Sequence, residues 1–302
     1  EERIVRHWAR CFDIPTVTYE NGFMKNSFVF ARNKIACYYD LSEHWPTARK
    51  KPLSADENKW LDLYLADRQI GRRSVIQYWP KIEDRRSAIK KQLGLKGQKK
   101  IALAFSNIIW DSAVQERDSI FDDLFDWLHQ TISLFVQKPE YQLIVRVHPA
   151  EIQLKGRETK ERVADYIQSA FPQMPENITI VLPQNEISSY RLIELANLVL
   201  TYSSTIGLEA ALMGKLVQVA GQTHYREKGF TFDTDSRDEY FDRLVSLLKN
   251  ENPEKTVDVE IARRYAHLFF KKYMIDLSSI VQQEKSSKIN LVIGDLLDLK
   301  SN

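Results

Sequence analysis

From Lys100 to Gly221 short apolar runs of strand length alternate with longer segments in which apolar residues recur every three or four positions. The runs Ile101–Phe105, Leu143–Val147, Ile178–Leu182, Leu198–Thr201 and Leu216–Ala220 are apolar almost throughout, as suits strands buried on both faces. The segments between and after them, roughly 119–136, 159–171, 188–195, 206–213 and 237–249, predict helices. Regular alternation of the two predicts a parallel sheet covered on both sides, a Rossmann-like domain. The stretch from Ala196 to Gly221 reads as one βαβ unit, in which Ser203, Ser204 and Thr205 make the turn from a strand into a helix carrying Glu209.

The first third is patterned differently. Ile4 to Phe12 has helical spacing, and Pro15 to Glu20 is β-branched and aromatic like a strand and stops at Asn21-Gly22. Ser27–Ala31 and Lys34–Tyr39 read as two further short strands, and a loop at Lys50-Lys51-Pro52 leads into a helix from Ala55 to Arg68. Between Gly71 and Lys100 the chain turns polar and basic, which places the domain junction there. The tail, 258–274 and 286–299, predicts two amphipathic helices. The expected organisation is therefore 1–75 as a partial α/β domain, 76–99 as a connector, 100–250 as a Rossmann-like domain and 251–302 as helices packing back across the domains. An opening helix with no strand before it suggests a fragment of a longer chain.

Composition changes little in this picture. With 302 residues, 43% hydrophobic content and a formal net charge of +2, the chain is sized for two domains, and its charge names no partner. The basic residues of 71–100 are interleaved with acids and accompany no nucleic-acid-binding motif, so a solvated helix face is expected and no nucleic acid. Cys11 and Cys37 form neither a disulfide framework nor a metal-ligand spacing, which points to a reducing, cytoplasmic setting. No apolar run approaches the roughly 20 residues that span a bilayer, so at most peripheral association with the inner face of a membrane is expected.

Ligands of open α/β sheets bind outside the carboxyl ends of the strands. Here every such end is polar: Ser106-Asn107 leading to Trp110-Asp111, Arg146-Val147-His148-Pro149, Pro183-Gln184-Asn185, the Ser203 to Thr205 turn, and Gly221 through Tyr225. Proline holds the residue before it extended, so His148 can aim its ring at a fixed point. The Ser/Thr turn is open to two readings, a helix cap or an anion site. Glu20 is likewise either a solvated turn acid or a cleft carboxylate. No Gly-x-Gly-x-x-Gly, Walker-type loop, zinc-like cluster or Gly-x-Ser-x-Gly elbow occurs, which argues against NAD, a P-loop nucleotide, a metal and a serine hydrolase.

Arg146-Val147-His148-Pro149, Ile187-Ser188-Ser189-Tyr190, Thr201 through Ala210, Gly214 through Val217 and Gly221 through Gly229 resemble the capsule and surface-polysaccharide biosynthesis glycosyltransferases, the group that includes the bacterial β-Kdo transferases. Tyr19-Glu20-Asn21-Gly22-Phe23 and Asn107-Ile108-Ile109-Trp110-Asp111 resemble two further signatures of that group. The resemblance implies an α/β, GT-B-like fold of two Rossmann-like domains facing a cleft, the N-terminal one incomplete here. It also implies a nucleotide-sugar donor, CMP-Kdo by best match, a glycan or glycolipid acceptor, and neither a metal nor another cofactor. Other domains of a larger polysaccharide synthase are a further expected partner. Sugar-nucleotide epimerases and polyol-phosphate transferases share part of the pattern, and a non-catalytic carbohydrate- or nucleotide-binding module is the alternative outside enzymes.

On this reading Ser203, Ser204, Thr205, Asn107, Arg146 and Gln184 bind the donor, and Glu209 accepts hydrogen bonds from ribose hydroxyls. Asp111 is the carboxylate expected near the anomeric centre, Glu20 the general base towards the acceptor, and His148 the group at the donor phosphate or sugar carboxylate.

Overall fold

The computed structural model describes residues 2–70, 82–95, 97, 99–109, 119–153, 159–249, 256–283 and 289–291. In chain order the elements are α1 (Glu2–Cys11), β1 (Val17–Asn21), β2 (Ser27–Arg32), a 3-10 turn (Ala36–Tyr38), α2 (Trp45–Ala48), α3 (Ala55–Gln69), α4 (Arg86–Gln92), β3 (Ile101–Phe105), α5 (Leu124–Gln137), β4 (Gln142–Arg146), α6 (Ala150–Gln153), α7 (Val163–Ala170), β5 (Ile178–Val181) and α8 (Ser189–Leu195). They continue with β6 (Leu198–Thr201), α9 (Ile206–Leu212), β7 (Leu216–Val219), α10 (Arg237–Lys249), α11 (Val259–His267), a π-helical turn (Leu268–Tyr273), β8 (Ile275–Asp276), β9 (Val281–Gln283) and β10 (Ile289–Leu291). They fall into two compact units, one of Glu1–Gln77 with Arg264–Asn302, the other of Tyr78–Arg263.

The larger unit is built on a five-stranded sheet of order β5-β4-β3-β6-β7. Every pairing in it is parallel, in a register that sets Ala102 beside Leu143 and Leu198, and Val145 beside Ile180. One face carries Ala102, Ala104, Leu143, Val145, Leu198 and Leu200 into a cluster with Trp127, Ile132 and Phe135 of α5, Ile167 of α7 and Leu244 of α10. The alternate residues Leu103, Ile144, Val199 and Val217 are fully buried too, so the sheet is covered on both faces, as its unbroken apolar runs require. Under one layer the Trp127 indole N–H donates to the buried Tyr240 hydroxyl at 2.9 Å, satisfying the polar tips of two large core side chains.

The smaller unit holds an antiparallel sheet, β1-β2-β8. Its β1–β2 turn needs Gly22: the Gly22 N–H donates to the Ser27 carbonyl at 2.7 Å, and a Cβ there would fall 2.0 Å from Ser27 Oγ. Phe23 then enters an aromatic cluster with Tyr39, Phe269 and Phe270, and the Arg68 guanidinium lies 5.3 Å over its ring. Helix α3 starts in a capping box, with Ser54 and Glu57 each accepting the other's backbone N–H.

Two expected elements differ. Lys34–Tyr39 is not a strand but a 3-10 turn, because the Thr18 hydroxyl accepts from Ala36 N–H at 2.9 Å and donates to the Lys34 carbonyl at 2.7 Å, taking groups a ladder would need. Of the helix expected over 286–299, the described part, Ile289–Leu291, is a strand paired antiparallel with β9, and the rest lies outside the described residues. Among the described residues no helix is long and apolar enough to cross a membrane.

Candidate functional site

In the parallel sheet the strand order reverses between β3 and β6, so the crevice that such sheets offer to ligands opens beyond the carboxyl ends of these two strands. The residues there are tied to one another. The Ser203 N–H, after β6, donates to Asn107 Oδ1, after β3, at 3.4 Å. Ser106 N–H donates to the Arg146 carbonyl at 3.1 Å, and Ser106 Oγ accepts from His148 N–H at 3.1 Å, joining the ends of β3 and β4. Ser106, Asn107, Arg146, His148 and Ser203, scattered over nearly a hundred positions, thus share one rim.

His148 is fixed on both sides. Its Nδ1 accepts the Ala150 N–H at 3.2 Å, so in the neutral ring Nε2 carries the proton. Three residues further, Glu151 is fully buried; its Oε1 accepts from Val163 N–H at 2.9 Å and so caps α7 from a distance, while burial pushes its carboxyl up from the ordinary value. Among the described residues Oε2 has no hydrogen-bond partner.

Arg146 is the unusual group. It is 2% exposed at the end of β4, and its Nη1 donates to the Leu182 carbonyl at 3.0 Å. Among the described residues Nε has no hydrogen-bond partner and no carboxylate forms an ion pair with the group. Burial holds the guanidinium down to about 10 by desolvating its charge. The Leu182 carbonyl also accepts from Asn185 N–H at 3.0 Å, while Asn185 Oδ1 accepts from Leu182 N–H at 2.8 Å, so Arg146 braces the turn that bears Gln184. Gln184 itself is exposed.

The Ser/Thr turn is more closed than its sequence suggests. Among the described residues Thr205, at the cap position of α9, makes no side-chain cap bond, and Ser204 Oγ takes a local 3.4 Å contact from Ile206 N–H. Gly207 and Leu208 N–H groups are taken by the carbonyls of Ser204 and Thr205 at 3.2 and 3.0 Å. The hydroxyl of fully buried Tyr225 donates to the same Ser204 carbonyl. Glu209 is buried, and its Oε2 accepts the Tyr190 hydroxyl, so one oxygen of the expected ribose acceptor is engaged within the protein. Sequence reasoning named Tyr190 and Tyr225 only as members of a signature. Their pairing across 19 and 21 positions carries no periodic signal.

The two proposed acids are placed differently. Asp111 lies outside the described residues. Glu20 sits on edge strand β1 of the smaller unit, half-buried, opposite Val29, with its Oε1 accepting Asn21 N–H at 2.9 Å. The two units are described separately, so Glu20 is not assigned to the rim. Among the described residues no group of three or more His, Cys, Asp or Glu is arranged to hold a metal ion.

No curated protein matches the sequence. Solved structures do: the β-Kdo 2,4 transferase KpsC of Thermosulfurimonas dismutans aligns over 98% of this chain and 83% of its own, with a TM-score of 0.56 at 16% identity. The β-Kdo 2,7 transferase KpsC of the same organism aligns over 93% and 77%, with a TM-score of 0.49 at 17% identity. UDP-GlcNAc 2-epimerase of Neisseria meningitidis, bound to UDP-GlcNAc, covers 62% of this chain and 47% of its own, with a TM-score of 0.40 at 17% identity. The first of these shows a shared fold, and the α/β, GT-B-like fold class expected from the sequence stands. The capsule polysaccharide biosynthesis protein family matches residues 29–244. That span is most of the chain, carries the whole parallel sheet and its rim, and establishes that the chain belongs to this family.

Proposed function

We propose that this chain is a glycosyltransferase that takes a sugar from a nucleotide donor, Kdo from CMP-Kdo by best match, and passes it to a glycan or glycolipid acceptor without a metal. The observation that carries the reading is Arg146: a buried guanidinium with no carboxylate partner among the described residues and an unpartnered Nε, at the carboxyl end of a parallel strand. An uncompensated buried cation is costly, and a donor phosphate or a sugar carboxylate supplies the missing charge. His148, two residues on and oriented through its Nδ1, stabilises charge on the leaving phosphate. Asn107 and Ser203 to Thr205 complete the donor side. Glu209, held by Tyr190, then acts on the ribose through whatever acceptor capacity that contact leaves.

In the chemical step Asp111 stabilises or attacks the oxocarbenium-like centre and Glu20 receives the acceptor proton. The test is a thermal-shift screen with CMP, UDP, GDP and CDP compounds, with and without EDTA, followed by transfer assays on Asp111→Asn, Glu20→Gln and His148→Ala. A matching nucleotide at a hundredfold excess over its Kd adds about 2.7 kcal/mol of apparent stability. Silence towards every nucleotide refutes the donor site. Carboxamide variants that keep more than about a tenth of the wild-type rate refute the assignment of the acids.

A further inference from the structure

The backbone of Glu209 is held by its own helix: its N–H donates to the Thr205 carbonyl at 3.4 Å and its carbonyl accepts the Met213 N–H at 3.2 Å. The long side chain keeps rotamer freedom, and a carboxylate 3% exposed must end on hydrogen-bond donors. One donor is the Tyr190 hydroxyl, 19 positions earlier on α8. That helix is tied at both ends. Where it starts, Ser188 N–H donates to the Glu83 carbonyl at 3.0 Å and Glu83 N–H to the Glu186 carbonyl at 2.7 Å, a parallel bridge that lays Glu83 alongside Ile187. Where it ends, Lys215 Nζ donates to the carbonyls of Glu194 and Ala196 at 2.8 and 2.9 Å, and the Arg86 guanidinium meets the Glu194 carboxylate at 2.8 Å. Leu192 and Ile193 are fully buried between these ties. A tyrosine on so fixed a helix has few torsions left, and it brings its hydroxyl to one place.

A carboxylate has about four acceptor positions, so a phenol and the hydroxyls of a ribose can share it. With one oxygen held by a fixed phenol, the direction in which Glu209 meets a diol is set before the ligand arrives, which removes the cost of ordering it on binding. A polar group arranged in this way discriminates sharply against a ligand that lacks the matching hydroxyl, because the group is then left short of a partner. We infer that Tyr190 is a positioning residue for nucleotide recognition: acting through Glu209, it makes the site select ribonucleotides over deoxyribonucleotides. This role rests on Glu209 being the ribose acceptor, and it is exerted on binding, not on the bond that breaks.

The test is isothermal titration of the full chain with CMP, 2′-deoxy-CMP and 3′-deoxy-CMP. Wild type is expected to bind CMP at least about tenfold more tightly than the weaker deoxynucleotide, the worth of one hydrogen bond to a charged group. Tyr190→Phe keeps the ring and drops the hydroxyl. CMP should then weaken about tenfold and that deoxynucleotide by less than about threefold, so the preference shrinks at least about threefold. In a Glu209→Ala background, where no buried charge needs the phenol, Tyr190→Phe should change each affinity by less than about twofold. This pair also carries the test if Tyr190→Phe alone does not fold. A folded Tyr190→Phe variant with the wild-type preference overturns the inference and leaves Glu209 its ribose role. So does an effect of Tyr190→Phe that survives in the Glu209→Ala background, which would put the phenol on the ligand itself. Wild type that binds all three nucleotides alike overturns the ribose role of Glu209, and wild type that ignores CMP overturns the CMP-linked donor; either outcome takes the role of Tyr190 with it.

Discussion

Gly207→Ala is the substitution on which helix propensity and packing disagree most sharply. Gly207 lies in the first turn of α9, where alanine is better than glycine by up to about 1 kcal/mol. A Cβ at this position would stand 2.3 Å from the Tyr225 hydroxyl oxygen, 3.0 Å from its Cζ and 3.1 Å from Thr201 Oγ1. Tyr225 is fully buried, and its hydroxyl donates to the Ser204 carbonyl, so the ring cannot step aside without leaving that bond. Overpacking by one methyl costs about 1–3 kcal/mol, and taking the buried Tyr225 hydroxyl from its acceptor costs about 1–3 kcal/mol more. Packing therefore wins, and the expected net loss is about 2–4 kcal/mol. Urea denaturation of wild type, Gly207→Ala, Tyr225→Phe and the double variant, compared at constant m, measures it. Removing the hydroxyl relieves the closest contact, so the double variant should be more stable than the sum of the singles by at least about 1 kcal/mol. An alanine variant as stable as wild type, or two singles that simply add, would refute the close approach of α9 to Tyr225.

Arg146→Met should leave the unliganded protein at least as stable as wild type. The fall of the guanidinium from 12.5 to about 10 corresponds to about 3 kcal/mol of desolvation that a thioether does not carry, and Leu182 keeps the Asn185 N–H. The same variant should lose all thermal shift with nucleotide; a clear loss of unliganded stability would make Arg146 a structural brace only. Glu151→Gln should separate from wild type by pH: burial raises the folded carboxyl above 4.5, so the native state prefers it protonated and wild-type stability falls as pH rises from 4.5 through the folded value. Glutamine keeps the acceptor for Val163 N–H and removes that slope, so denaturation curves should coincide below the window and favour the variant above it.

The strands of the parallel sheet were legible because both of their faces are buried. Ile101–Phe105 and Leu198–Thr201 coincide with the runs read from the sequence, since a strand covered on both faces is apolar almost throughout. Lys34–Tyr39 shows the opposite case. Its residues suit a strand, but the hydroxyl of Thr18, half a hairpin away, claims its backbone groups, and no local pattern reports a rival for a hydrogen bond.

The rim divides along the same line. That polar residues gather beyond the strand ends follows from topology, and topology follows from the alternation of elements, so His148, Asn107 and the Ser203 turn could be named in advance. Which of them remain available to a ligand is settled by neighbours distant in sequence. Tyr190 occupies an oxygen of Glu209, Tyr225 takes the Ser204 carbonyl, and the first N–H groups of α9 turn back on their own loop. Arg146 moves the other way. A strand-end arginine is an ordinary sight in a sequence and is set apart only when it is 2% exposed with no carboxylate partner among the described residues. Periodicity reports burial of apolar residues; it carries no information on whether a buried charge has been compensated.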